Sequence, residues 1–93
     1  MKMYDTINKG EVYIIAEMSA NHAGKLENAL RIVEEAAAAG ADCVKIQTYT
    51  ADTLTIDCDA DPYVIKGGLW DGYNYYHLYQ EAFTPWEWQQ KIK

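Results

Sequence analysis

Residues 13–48 read YIIAEMSANHAGKLENALRIVEEAAAAGADCVKIQT and decide the fold of this 93-residue chain. Residues 12–17 and 43–48 are largely apolar runs of strand length. Between them, apolar residues recur at helical spacing over residues 25–39, and Gly40 follows as a helix-terminating glycine. A strand, a crossover helix and a second strand within about 35 residues make a βαβ unit, so the two strands are predicted to be parallel.

Side chains alternate between the two faces of a strand, which separates their environments. Val44 and Ile46 suit a face covered by helices, so Lys45 and Gln47 are predicted to point to the other face. The same parity in the first strand sends Glu17 away from the helices. These three polar residues are therefore expected to converge at the carboxyl ends of neighbouring parallel strands, where α/β folds place ligands and chemistry.

Composition narrows the class of protein. Apolar residues make up 49% of the chain, which argues against disorder, and the net charge of −6 argues against a nucleic-acid binder. The sequence has no apolar run long enough for a membrane span or a signal peptide. Cys43 and Cys58 lack metal-like or redox-like spacing and are interpreted as reduced, structural thiols. A cytoplasmic protein is therefore expected.

Outside the βαβ unit, residues 1–11 are predicted to be an extended or loosely ordered lead-in. A long connection, residues 50–82, follows the second strand and ends in residues 75–82, whose apolar spacing predicts a short helix. Long connections in compact domains are often functional, so this one is expected to cover the site. Its aromatic residues could stack on a sugar or form a small core of the connection itself, and we favour the core.

The last segment has the signature of a helix start. Thr84 can cap the helix, Pro85 occupies its first position, and Glu87 completes a capping box. Phe83 and Trp88 are spaced as a hydrophobic staple across that cap. A helix beginning after Thr84 is therefore predicted.

Each candidate site residue has a structural alternative. Glu17 could be a general acid or base, or it could form a structural ion pair with Lys45. Lys45 could bind a phosphate or carboxylate as a point charge, or it could be a lysine at a strand end that extends its charge to solvent. Gln47 could bind hydroxyl groups of a ligand or join a buried network. Asn21 and His22 suggest a metal ligand only weakly, and hydrogen bonding within their turn is the favoured interpretation.

Two segments resemble the sialic acid synthase family, namely IIAEMSANHAG (14–24) and GADCVKIQTYT (40–50). Three more resemble the pseudaminic acid branch of that family, namely YTADTLTIDC (49–58), IKGGLWDG (65–72) and LYQEAFTPWEW (78–88). The resemblance covers residues 12–93 in unbroken order. It implies that residues 1–93 are the amino-terminal fragment of a (β/α)8-barrel synthase domain. The fold class is then α/β, the first βαβ portion of a TIM-type barrel with a long βα loop after the second strand.

The resemblance also implies an activity. Members of this family condense phosphoenolpyruvate with an N-acylated amino sugar; in the pseudaminic branch the acceptor is a 2,4-diacetamido-trideoxy-altrose, and the products are pseudaminic acid and phosphate. Glu17 matches a catalytic glutamate and Lys45 matches the lysine that holds phosphoenolpyruvate, while Gln47 is assigned to substrate binding. A divalent metal, Mn²⁺ or similar, is implied on two histidines of later strands, outside this chain. A homodimer is implied as well.

Two alternatives remain open on the sequence. One is an N-acetylneuraminate synthase that uses N-acetylmannosamine as the acceptor. The other is a non-catalytic partner-binding module made of a barrel fragment. A (β/α)8 barrel typically needs ~250 residues, so these 93 residues by themselves are expected to be inactive.

Overall fold

The computed structural model describes residues 2–93, and Met1 lies outside the described residues. The elements in chain order are α1 (Lys2–Asn8), β1 (Ile15–Glu17), α2 (Leu26–Ala38), β2 (Cys43–Lys45), α3 (Ala51–Leu54), α4 (Tyr75–Ala82), a 3₁₀ turn (Trp86–Trp88) and α5 (Gln89–Ile92). Within this range, no helix has both the length and the apolar character that crossing a membrane requires.

The two strands form one parallel sheet, which confirms the predicted βαβ unit. The paired residues are Ile15 with Cys43, Ala16 with Val44, and Glu17 with Lys45. The eight-stranded barrel, of which this unit would be the first part, stays a prediction.

Both strands are shorter than the predicted runs of residues 12–17 and 43–48, because the flanking backbone bonds elsewhere. The N–H of Ile14 donates to the carboxylate of Asp42 at 2.9 Å. The carbonyl oxygen of Gln47 accepts from the N–H of Thr84, also at 2.9 Å. These groups have partners outside the ladder, so regular pairing stops at three residues on each strand.

Helix α2 lies within the predicted range and ends as expected at a glycine. Gly40 has φ +97°, a left-handed conformation that costs a glycine little. Its N–H donates to Ala37 at 3.1 Å, and the N–H of Ala41 donates to Ala36 at 3.0 Å. This pair of bonds is the Schellman motif, which satisfies carbonyl groups that the helix end would otherwise leave unbonded.

The helix-facing side of the sheet is the one that parity predicted. Val44 and Ile46 line a groove of about 630 Å³ together with Val33 and Ala37 of α2 and Ile92 of α5. Because side chains alternate along β2, the neighbouring Lys45 points to the opposite face. The groove therefore belongs to the helix layer and is separate from the polar end of the sheet.

The long connection is folded. Val64 and Asn74 form an antiparallel bridge, and helix α4 follows over Tyr75–Ala82, which confirms the predicted short helix. Helix α3 packs against α4, where the hydroxyl of Tyr76 donates to Asp52 at 2.9 Å. The connection is held by contacts among its own residues.

The predicted extended or loosely ordered lead-in is wrong over Lys2–Asn8, which form helix α1, and its first residue, Met1, lies outside the described residues. The hydroxyl of Thr6 donates to the Lys2 carbonyl at 3.0 Å, and the N–H of Gly10 donates to the Ile7 carbonyl at 2.9 Å. None of the α1 residues is buried. Helix α1 is therefore held by local hydrogen bonds and contributes no buried apolar face to the core.

The predicted cap at Thr84 is also wrong. Pro85 precedes the 3₁₀ turn, no side chain caps that turn, and the Thr84 hydroxyl binds His22 instead. The aromatic contacts of Phe83 and Trp88 are with Tyr49 and His22 respectively, so the expected staple does not form. A long-range partner for the hydroxyl has displaced the local capping arrangement.

Candidate functional site

Glu17 and Lys45 meet at the carboxyl ends of β1 and β2. They are directly paired in the parallel register, and Lys45 Nζ lies 3.2 Å from Glu17 Oε2. Their side chains are 36% and 64% exposed, in that order. The structure thus brings together two of the three predicted site residues, on the face turned away from α2, with the pair open to solvent.

A second contact fixes the orientation of the Glu17 carboxylate. The backbone N–H of Ser19 donates to Glu17 Oε1 at 3.1 Å. Partial desolvation raises the pKa of Glu17, but hydrogen bonds from the Ser19 backbone and from Lys45 outweigh it and lower that pKa below its ordinary value. Glu17 is therefore ionised at neutral pH, with one oxygen directed to a backbone donor and the other to an ammonium group.

Gln47 follows β2 by two residues and is half-buried. The hydrogen bond described for it uses its carbonyl oxygen, which accepts from Thr84. No hydrogen bond among the described residues joins its side chain to Glu17 or Lys45. Its role in binding a sugar stays a prediction.

His22 is fully buried, and the turn interpretation is confirmed for it. Nδ1 accepts from the N–H of Gly24 at 2.9 Å, and Nε2 lies 3.2 Å from the hydroxyl of Thr84. A ring that accepts at Nδ1 is neutral and carries its proton on Nε2, so Nε2 donates to Thr84. Burial lowers the pKa of His22, which agrees with a neutral ring.

The described residues do not form a metal site. Residues 2–93 contain no group of three His, Cys, Asp or Glu side chains placed to hold an ion. Both ring nitrogens of His22 already have hydrogen-bond partners. Cys43 and Cys58 are unpaired thiols, as the sequence predicted.

The aromatic residues of the connection pack on one another. Tyr49 meets Tyr79 edge to face at 5.6 Å between ring centroids, and Phe83 lies 6.4 Å from Tyr49. Tyr75 stacks on Tyr79 at 6.2 Å. Tyr49, Tyr79 and Phe83 are half-buried, which favours the interpretation as a small core for these residues of the connection and its two flanking positions, whereas Tyr75 is exposed.

Sequence reasoning missed two buried polar residues, Thr84 and Asn74. Nothing local could have revealed the partner of Thr84, because His22 lies 62 residues away along the chain. Asn74 immediately precedes α4 and its side chain accepts from the N–H of His77 at 2.8 Å. An asparagine just before a predicted helix is a capping signal that could have identified it.

Comparison with known proteins agrees with the resemblance seen in the sequence. Residues 32–93 match the NeuB family. The chain is 56% identical over 82 residues to the pseudaminic acid synthase of Campylobacter jejuni subsp. jejuni serotype O:2, covering 88% of this chain and 24% of the relative. It is 46% identical over 79 residues to the pseudaminic acid synthase of Helicobacter pylori, covering 85% of this chain and 23% of that protein.

A shorter match reaches a related synthase. The N,N'-diacetyllegionaminic acid synthase of Legionella pneumophila is 52% identical over 42 residues, covering 45% of this chain and 12% of the relative. The chain spans about a quarter of the length of the pseudaminic acid synthases that it matches. On the family match and these identities, the chain belongs to the NeuB family, whose pseudaminic acid synthases it resembles over most of its length.

Proposed function

We propose that this chain is the amino-terminal part of a phosphoenolpyruvate-dependent pseudaminic acid synthase built on a (β/α)8 barrel. The acceptor is a 2,4-diacetamido-trideoxy-altrose, and the products are pseudaminic acid and phosphate. The observation that carries the proposal is the Glu17–Lys45 pair at the carboxyl ends of two parallel strands, in a chain of the NeuB family. Two relatives named pseudaminic acid synthase match most of the chain, which supports this branch.

Lys45 binds phosphoenolpyruvate in this proposal. An ammonium group has three N–H donors, and the contact with Glu17 uses one oxygen of that carboxylate. The side chain is 64% exposed, so a phosphate or carboxylate can reach the remaining donors without displacing other protein groups. Lys45 would act as a point charge that holds the anion at the end of β2.

Glu17 orients the reacting groups or accepts a proton from water. Carbon 3 of phosphoenolpyruvate bonds to the aldehyde carbon of the sugar, water adds at carbon 2, and phosphate leaves. Because its pKa is lowered, Glu17 is ionised at neutral pH, so it can orient a donor or accept a proton but has no proton of its own to donate. Held by Ser19 and Lys45, its carboxylate would need little reorganisation as the substrates bind.

The divalent metal of the proposal would need ligands from outside residues 2–93. A divalent metal such as Mn²⁺ would supply Lewis-acid activation of the sugar aldehyde. Residues 2–93 offer no fitting ligand group, so every step assigned to this chain uses its own side chains. Gln47 as a sugar ligand, a homodimeric assembly and a cytoplasmic location complete the proposal.

The experiment is a comparison of acceptors. The longer protein that contains this chain is purified and supplied with phosphoenolpyruvate, Mn²⁺ and either the 2,4-diacetamido-trideoxy-altrose or N-acetylmannosamine. We expect phosphate release and a product with the mass of pseudaminic acid with the first sugar. Turnover with N-acetylmannosamine alone would favour an N-acetylneuraminate synthase. Absence of turnover with either sugar would favour a partner-binding module.

A further inference from the structure

Thr84 connects the two strand ends that carry the candidate site. It is fully buried, and its N–H donates to the carbonyl oxygen of Gln47 at 2.9 Å, just beyond β2. Its hydroxyl accepts from His22 Nε2 at 3.2 Å, in the turn that follows β1. One residue thus holds the chain after Lys45 and the chain after Glu17 at the same time.

The turn after β1, which contains His22, is held by several contacts. The His22 ring accepts from the N–H of Gly24, and its carbonyl oxygen accepts from the N–H of Lys25 at 3.1 Å and from the amide of Asn28 at 3.0 Å. The ring also meets Trp88 edge to face, with centroids 5.2 Å apart. The turn is therefore fastened both to the start of α2 and to the segment after Thr84.

A second bond repeats the link on the β2 side. The side-chain amide of Gln89 donates to the hydroxyl of Thr48 at 2.5 Å. The segment from Thr84 to Gln89 thus forms two hydrogen bonds with residues that follow β2, namely Gln47 and Thr48. It forms one with His22, in the turn that follows β1. On the β1 side, the hydrogen bond from His22 to Thr84 lies beside the ring contact between His22 and Trp88, and it is the part of this link that a single side-chain change can remove.

We infer that His22 is a positioning residue for the proposed reaction: through Thr84 it supports the ends of β1 and β2, whose pairing places Glu17 beside Lys45. The inference rests on the proposed function, because it assigns His22 to the same site. The imidazole suits this role because a neutral ring offers an acceptor to Gly24 and a donor to Thr84 at once. An imidazolium would lose the acceptor, and an apolar side chain would lose both.

The first experiment removes and restores the hydroxyl group in the longer protein. Thr84→Val keeps the shape but deletes the acceptor, whereas Thr84→Ser keeps the acceptor. We expect Thr84→Val to lower kcat/KM for phosphoenolpyruvate about tenfold and Thr84→Ser to stay within about twofold of the parent protein. Thr53→Val is the control, because the Thr53 hydroxyl bonds only within the α3 cap. Kinetics are measured well below each variant's melting temperature.

A second pair of variants separates the two ring nitrogens. An asparagine amide reaches the position of Nδ1, and a glutamine amide reaches the position of Nε2. If the bond to Thr84 positions the site, His22→Gln should retain about tenfold more kcat/KM than His22→Asn. Equal losses in the two variants, at equal melting temperatures, would overturn the inference.

The third measurement distinguishes positioning from folding. Dissociation constants for phosphoenolpyruvate are compared for Thr84→Val in the parent protein and in the Glu17→Gln background. Residues that act through one pair give non-additive effects, so we expect the Thr84→Val effect to disappear once Glu17 is changed. An equal effect in both backgrounds would overturn the inference. The inference alone fails if Lys45→Ala weakens phosphoenolpyruvate binding but Thr84→Val behaves like Thr84→Ser. The proposed function fails if Lys45→Ala does not change phosphoenolpyruvate binding.

Discussion

The end of the sheet and the connection that follows it use polar residues in opposite ways. At the sheet end, Glu17 and Lys45 form a pair that remains open to solvent. In the connection, Asn74 is 3% exposed and its amide donates to Asp59 at 2.8 Å and to Asp57 at 3.3 Å. An exposed ion pair adds little to stability, whereas a buried amide is costly to leave without partners. The first arrangement is therefore available to a ligand, and the second serves the fold.

The largest expected effect is the loss of turnover on changing Glu17. Glu17→Gln keeps the size of the side chain and removes its charge and proton-accepting capacity. In the longer protein we expect kcat to fall by roughly 10²–10⁴-fold, the range of general acid–base catalysis, while the variant remains folded at the assay temperature. Glu34→Gln, on the exposed face of α2, is the control. A kcat near that of the parent protein would make Glu17 a structural member of an ion pair.

Next in size is the effect on phosphoenolpyruvate binding of removing Lys45. Loss of a charge-assisted hydrogen bond costs about 1.5–3 kcal/mol, so Lys45→Ala should raise KM for phosphoenolpyruvate about ten- to hundredfold. KM for the sugar should change much less. Lys66→Ala provides a matched control, because Lys66 forms an exposed ion pair with Asp61 at 3.0 Å in the connection. An unchanged KM for phosphoenolpyruvate in Lys45→Ala would exclude the role.

Substitutions of Asn74, in the connection, should lower the free energy of unfolding and leave kcat unchanged. Asn74→Ala removes a helix cap and the hydrogen bonds from the Asn74 amide to Asp57 and Asp59, so the free energy of unfolding should fall by about 0.5–2 kcal/mol. Asn74→Asp keeps the acceptor for His77 but sets a third carboxylate beside Asp57 and Asp59. Repulsion among these like charges should therefore destabilise this variant as well. Urea denaturation checks both variants, with Asn8→Ala on exposed α1 as the control. A large fall in kcat at full stability would place Asn74 at the site instead.

The smallest expected effect is the pH dependence contributed by Glu17. Its pKa is lowered in the folded protein from an ordinary value of 4.5, so the unfolded chain takes up the proton first as the pH falls. The stabilisation it contributes is present above pH 4.5 and is lost as the pH falls through the lowered pKa. The difference in unfolding free energy between the parent protein and Glu17→Gln should therefore decrease below pH 4.5. A difference that stays constant with pH would show that the carboxylate gains nothing from Lys45 and Ser19.

Patterns in the sequence correctly predicted those structural elements that are determined by residues close together in the chain. The period of residues 25–39 predicted α2, Gly40 predicted its end, and strand parity placed Glu17 and Lys45 on one face. The spacing of residues 75–82 predicted α4. In each case the determining interactions lie within a few residues or follow from alternation along a strand, so the amino-acid order is sufficient.

The sequence by itself therefore determined the βαβ unit, its parallel pairing and two of the polar residues at its end. Tertiary structure decided what Thr84 does. Its local surroundings favour a capping box, but a buried imidazole 62 residues away offers its hydroxyl a hydrogen-bond donor. Tertiary contacts also decided where the strands stop, because Asp42 and Thr84 bond the backbone groups that would have extended the ladder. Buried hydrogen-bonding groups must find partners, and only the folded chain shows which distant groups are near enough to supply them.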